Sequence, residues 1–273
     1  MPDSTQLLHL ISLLEDESVR PAIINELAQF GALIEEEIAQ QGITLNQEQA
    51  RLIRPLLNQQ YREWLVKAWS SRLTVREDKA QLEFGLTLLA QFQLGQCYPT
   101  TLEQALDDLA DEYDARYRQR DALDLSEFLF QGYGLQGADR EDYDNPMNSN
   151  LVHVIEQRRG IPISLACVYI LVGDRLGLKI EGCNVPGHFL AVATMKREKV
   201  IVDCFNGGMV IDAGMLTASG ASISYEDVLQ LQCNSHVIIA RVLRNLANAY
   251  EQANQNENAA TLAELLILTK HGL

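Results

Sequence analysis

The sequence predicts an α+β protein: a helical N-terminal region, a core in which one apolar helix packs on an antiparallel sheet, and a C-terminal helical hairpin. Three observations carry this. Apolar residues recur at helical spacing through the first half of the chain. After Gly177 the period drops from 3.6 to 2, and helical spacing returns from about residue 236 onward.

In the first half, residues 5–14 repeat Leu7, Leu8, Ile11 and Leu14, and residues 22–40 repeat Ile23, Leu27, Phe30, Leu33, Ile34 and Ile38. A third helical pattern covers 47–72. Pro55 lies inside it and is expected to kink it or end its first part, because proline lacks the N–H and crowds the preceding turn. Further helices are expected over 76–94 and 101–119, separated at Gly95 and Pro99, with Thr100 as the N-cap of the second. Trp64 and Trp69 fall near one helical face and are read as core packing rather than ligand stacking.

From 124 to 150 one short apolar helix gives way to a stretch rich in Gly, Asp and Asn. A loop this long is functional or tied down by side-chain hydrogen bonds. Asn148 or Ser149 then caps a helix reaching about Arg159, with Gly160 closing it. The next helix starts at Pro162, where a missing N–H costs nothing, and stops at Gly177. Strands are expected over 178–185, 188–194 and 200–205, with a charged turn at 195–199 and a fourth strand at "MVIDA". A symmetric turn at 196–199 sets Asp203 opposite about residue 192. The tail gives helices at about 236–253 and 257–270.

The formal net charge of -15 argues against nucleic acid as a partner, since phosphate binding needs a basic surface. It fits a solvated acidic surface, or a basic protein partner. No apolar run approaches the roughly 20 residues of a membrane span, and no basic segment precedes the first apolar residues, so a cytoplasmic protein without a membrane is expected. Cys97, Cys167, Cys183, Cys204 and Cys233 are widely spaced, with no CxxC or CxxH pair. Neither a metal site, a cofactor motif nor a disulfide framework is indicated.

A thiol on a helix, then His188, then Asp203 is the chain order of papain-type cysteine hydrolases. Such enzymes place the sulfur at a helix N-terminus, where unpaired N–H groups favour thiolate. Cys167 sits in the second turn among apolar residues, which suits a packing thiol better than a nucleophile. Ser164 is nearer the helix start and is either a cap or a catalytic hydroxyl. His188 is a catalytic base or a turn histidine. Asp203, between Val202 and Cys204 on an apolar strand, needs hydrogen-bond partners in either case.

"NSNLVHVIEQRRGIPISLACVYILVGDRLGL", "VPGHFLAV" and "VDCFNGG" resemble the bacterial transglutaminase-like family typified by the SirB regulator's first protein. The resemblance implies a papain/transglutaminase-like core over 123–232, a helical region over 1–122, and a tetratricopeptide-like hairpin over 233–273. Active members of that superfamily resemble Gly-x-Cys at the helix start. Anchoring on Ala166 and Gly177 puts Gly160 on the motif glycine and Pro162 on the cysteine, while His188 and Asp203 remain. The implied protein is a pseudoenzyme that binds a protein partner or regulates, with a recognition cleft at Asn148, Arg158, Arg159, His188 and Asp203. The alternative is a cysteine-type amide hydrolase or transamidase with Cys167 or Ser164 as nucleophile, His188 as base and Asp203 as orienter.

Overall fold

The computed structural model describes residues 6–31, 34–196, 198–212, 214 and 224–271. Residues 1–69 with 91–99 form one compact unit, and residues 70–90 with 100–273 form another.

The first unit is helical: α1 (Leu7–Ser12), α2 (Arg20–Ala28), α3 (Ile34–Gln40) and α4 (Gln47–Trp69). Leu7, Ile11, Leu27, Ile34 and Ile53 meet in its core. The continuous helix expected over 22–40 is two helices, because α2 ends at Ala28 and Gly31 takes a φ of +58°. Pro55 neither ends nor divides α4. Proline inside a helix costs about 3 kcal/mol. Ile53 and Leu56 around it, and Tyr61, Leu65 and Trp69 beyond it, bury one continuous face that offsets this.

The second unit takes residues 78–90 of α5 (Asp78–Leu94), then α6 (Leu102–Arg116) and α7 (Ala122–Glu127). Thr101, not Thr100, caps α6: its hydroxyl accepts from the Gln104 N–H at 3.1 Å. α7 runs into a π-helical turn, Phe128–Gly132, with Phe128, Leu129 and Phe130 buried. Beyond β1 (Gln136–Gly137), side chains hold the expected loop. The Asn148 amide donates to the Asp142 carbonyl, and Asn145 Oδ1 accepts from the Met147 N–H at 3.0 Å. Asn150, rather than Asn148 or Ser149, caps α8 (Leu151–Gln157), accepting from Val152 and His153. Arg158, at φ 58°, ends that helix. Gly160, expected to close it, lies in β2 (Arg159–Gly160), which pairs in parallel with β1.

α9 (Pro162–Arg175) is buried at every position from 162 to 173. A helix apolar all round must be covered on all sides, and α9 packs on α6, α7 and α8 and on the strands β3 (Ile180–Cys183) and β4 (Leu190–Met195). Gly177, at φ +72°, stops it as expected. Arg175 fixes its C-terminal end, donating to both Glu83 oxygens at 2.8 Å and to Asp107 at 2.5 Å. The sheet continues with β5 (Glu198–Asp203) and β6 (Met209–Ile211). Its strand order is β6-β5-β4-β3-β7, antiparallel throughout. The last strand, β7 (Gln232–Cys233), and the helix before it, α10 (Tyr225–Gln230), carry no sequence signal strong enough to expect them. α11 (Ser235–Gln252) and α12 (Asn256–His271) pack on each other as the expected tail hairpin. Among the described residues no helix is long and apolar enough to cross a membrane.

Candidate functional site

His188 and Asp203 meet at the open end of the β4–β5 ladder. Met195 pairs with Glu198, so the paired strands are separated by two positions only. That is two residues tighter than the symmetric turn expected from sequence. The register moves with it: Val192 faces Ile201 and Ala191 faces Val202, not residue 192 facing Asp203. His188 is set two residues before β4 by a tight turn in which its N–H donates to the Val185 carbonyl at 3.1 Å. Its Nε2 lies 2.9 Å from Asp203 Oδ2, with no bulge in the strand pair.

Four donors converge on the Asp203 carboxylate. The N–H groups of Phe205 and Asn206 reach Oδ1 at 3.1 and 3.2 Å, and Asn206 Nδ2 joins His188 at Oδ2, at 2.8 Å. The Asp203 side chain is 6% exposed. Burial opposes its charge most strongly, but the hydrogen bonds from His188 and Asn206 outweigh it and hold the carboxyl below its usual range. An ionised carboxylate only accepts, so Nε2 of His188 donates to it, which leaves Nδ1 as the ring nitrogen facing away from Asp203. The His188 side chain is 30% exposed.

Aromatic rings flank the pair. Phe205 meets His188 edge-on at 6.3 Å, and Tyr143 meets Phe205 at 6.1 Å. Phe205 lies so close over Gly137 that a Cβ there would stand 2.6 Å from its ring. The sequence reading does not single out Asn206, Phe205 or Tyr143. The available signal is the Asx turn of Asp203-Cys204-Phe205-Asn206, a local pattern for a carboxylate that caps its own loop.

The candidate nucleophiles are buried. Pro162 is buried in the first turn of α9, and Ile161 before it offers no capping side chain. The Ser164 hydroxyl is buried and donates to the carbonyls of Asn148 at 2.8 Å and Ile161 at 2.9 Å. Cys167 is fully buried, and burial pushes its thiol far up. Cys204 is pushed up by burial and then by Asp203. Burial raises Cys183 to about 11 and Cys233 to about 12. Among the described residues no hydrogen bond joins a thiol to His188. A thiol-selective electrophile at pH 7 is therefore expected to label the exposed Cys97 alone, and that slowly, because partial burial and then Glu35 and Glu36 raise it. Peptide mapping with and without denaturant checks this, and native-state labelling of Cys167 would contradict it.

The other expected cleft residues divide. Asn148 is 1% exposed and its amide serves the 142–148 loop. Arg159 donates to the Gly137 carbonyl and to Asp139, both at 3.2 Å, on the strand beneath Phe205. Arg158 lies over the Tyr133 ring, 4.7 Å from its centroid. Among the described residues no group of three or more His, Cys, Asp and Glu is placed to hold a metal ion.

Comparison with known proteins gives a consistent picture. The sequence profile described as "Transglutaminase-like superfamily" matches residues 100–244. A "UPF0162 protein" of Xylella fastidiosa (strain 9a5c) is 31% identical over 221 residues, which is 74% of this chain and 76% of that protein. One from Vibrio cholerae serotype O1 is 33% identical over 110 residues, or 40% of this chain and 39% of that protein. F-box only protein 21 of Homo sapiens is 31% identical over 88 residues, 32% of this chain but only 14% of that protein, so the likeness there is confined to a segment. No solved structure matches.

Proposed function

Because this chain belongs to the transglutaminase-like superfamily, we propose that it is a non-catalytic member, working as a regulatory or protein-binding module of the kind typified by the SirB regulator's first protein. The observation that carries this is Pro162 at the start of α9. In thiol and serine hydrolases the residue in that place supplies the nucleophile, and its own backbone N–H helps hold the oxyanion. Proline supplies neither group. The loss is thus double: no attacking atom, and one oxyanion donor fewer. Each such donor is worth about 10²–10³ in rate. The neighbouring hydroxyl of Ser164 is buried and engaged, and the Cys167 sulfur is buried without an activating base.

What remains is a recognition surface. His188 offers its Nδ1 edge, held in place by Asp203, and Phe205 and Tyr143 offer aromatic edges beside it. Such a surface suits a protein segment that hydrogen-bonds to Nδ1 while packing on the rings. In this reading the core works from 123 to 232, and the hairpin over 233–273 is a tetratricopeptide-like unit that takes part in partner binding.

The test is turnover of a glutamine-containing peptide, read as ammonia release in the presence and absence of an amine acceptor. No turnover above the uncatalysed rate is expected, in wild type or in His188→Ala. Turnover that His188→Ala abolishes would replace this reading with a displaced-nucleophile hydrolase.

A further inference from the structure

A half-buried arginine in an acidic protein ordinarily lies against a carboxylate. Arg241 of α11 does not. Its Nη1 donates to the Asn184 side-chain oxygen and, at 2.9 Å, to the Val185 carbonyl. Its guanidinium covers the Phe189 ring, 5.5 Å from the centroid. These partners are all neutral. The Nε–Nη2 edge has no acceptor among the described residues and reaches solvent. That edge presents two parallel N–H groups, spaced for the two oxygens of one carboxylate. Elsewhere in this protein the same edge is used in that way, by Arg51 on Glu48 and by Arg120 on Asp114.

Two further groups interact with it electrostatically. Arg244 is exposed, nearly one helical turn further along α11, with no carboxylate partner among the described residues, and its charge acts on Arg241. Tyr143, a residue 40% exposed, has its phenol raised by burial first and by the Asp144 charge second, and Arg241 opposes that rise. The Tyr143 ring leads back through Phe205 to His188. In a chain of net charge -15, two adjacent arginines without a carboxylate are not the by-product of a basic surface.

We propose that the Nε–Nη2 edge of Arg241, with the Arg244 guanidinium one turn along the helix, forms a carboxylate-binding seat beside the turn that carries His188, and that the partner recognised there presents a carboxylate to it. This rests on the recognition reading above and names the chemistry of its ligand. Burial first, and the Arg244 charge second, disfavour the charged form of Arg241, and an incoming anion opposes both by favouring that form. Because Arg241 also holds the loop that leads into His188, the seat is tied mechanically to the cleft.

The experiment titrates the full chain with sodium glutarate, and separately with inorganic phosphate, at ionic strength fixed with sodium chloride. The side-chain Nε–H resonances of Arg241 and Arg244 report binding. Saturable glutarate binding is expected, weakened at least about 5-fold by Arg244→Gln and by Arg241→Lys. Arg244→Gln breaks no bond within the described structure, so misfolding cannot account for its effect. Arg241→Lys keeps a charge and a donor for Val185 but loses the fork. Unchanged affinity in both variants, or phosphate binding without glutarate binding, would overturn the assignment. Peptide turnover reads the non-catalytic proposal and this titration reads the seat alone, so each fails separately.

Discussion

Replacing Asp203 with alanine is expected to lower stability by about 3–5 kcal/mol at neutral pH, the range for removing one member of a buried charged network. Two backbone N–H groups, the Asn206 amide and His188 Nε2 all point at this carboxylate, and alanine leaves them without an acceptor in a site that is 6% exposed. Asp203→Asn is expected to cost less, about 1–3 kcal/mol. It keeps an oxygen for the backbone donors but turns an NH2 group toward His188 and Asn206, which forces the His188 proton onto Nδ1. Denaturant unfolding of the three proteins measures both effects. The gap between wild type and Asp203→Ala also depends on pH. The folded carboxyl lies below its unfolded value of about 3.9, so its stabilisation is present above that pH and is lost as pH falls toward the folded value. The two proteins are expected to converge in acid. A gap that stays constant below about pH 4 would show that the charge of Asp203 does not hold this turn.

Gly208→Ala is the second large effect, expected at about 2–5 kcal/mol from left-handed strain together with overpacking. Gly208 has φ +72°, and a Cβ there would stand 2.6 Å from Phe130 and against the Ser126 hydroxyl. Ser126 donates to the Gly208 carbonyl at 3.2 Å, and the Gly208 N–H donates to the Asp203 carbonyl at 3.0 Å. The π-helical turn after α7 thereby clamps the loop that carries Asp203 and Asn206. Gly207→Ala serves as the comparison. It shares a positive φ of +71° but its Cβ meets nothing within 4 Å, so only the strain of about 1–2 kcal/mol applies. Equal losses for the two variants in thermal unfolding would contradict the clamp. The larger loss at Gly208 is expected to come with a shift of the His188 ring resonances.

Much of this architecture is legible in the sequence because its signals are local. Pro162 and Gly177 bracket α9, the period changes where the sheet begins, and the tail helices lie within a residue or so of their patterns. The pairing of His188 with Asp203 is legible only as a possibility of chain order. What decides it is turn length, and pairing of Met195 with Glu198 instead of a turn over 196–199 moves the register by two residues without changing which residues are apolar. The caps shift by a residue or two, to Thr101 and Asn150, because neighbouring Thr, Ser and Asn side chains compete for the same role and the backbone conformation chooses among them. Pro55 shows the opposite failure. A strong local signal for a break is overridden by a long buried face that no short window contains. Arg241 is invisible to sequence reading because its partners Asn184, Val185 and Phe189 lie more than fifty residues before it and reach it through tertiary packing alone.

The central claim is that α9 presents no nucleophile to a base that is otherwise intact. The most direct measurement is the intact mass of the protein after incubation with an excess of a p-nitrophenyl acyl ester at neutral pH, for wild type and His188→Ala. The expected result is no stoichiometric acyl adduct in the core and no difference between the two proteins. A single acyl group on Cys167 or Ser164, present in wild type and absent from His188→Ala, would contradict it.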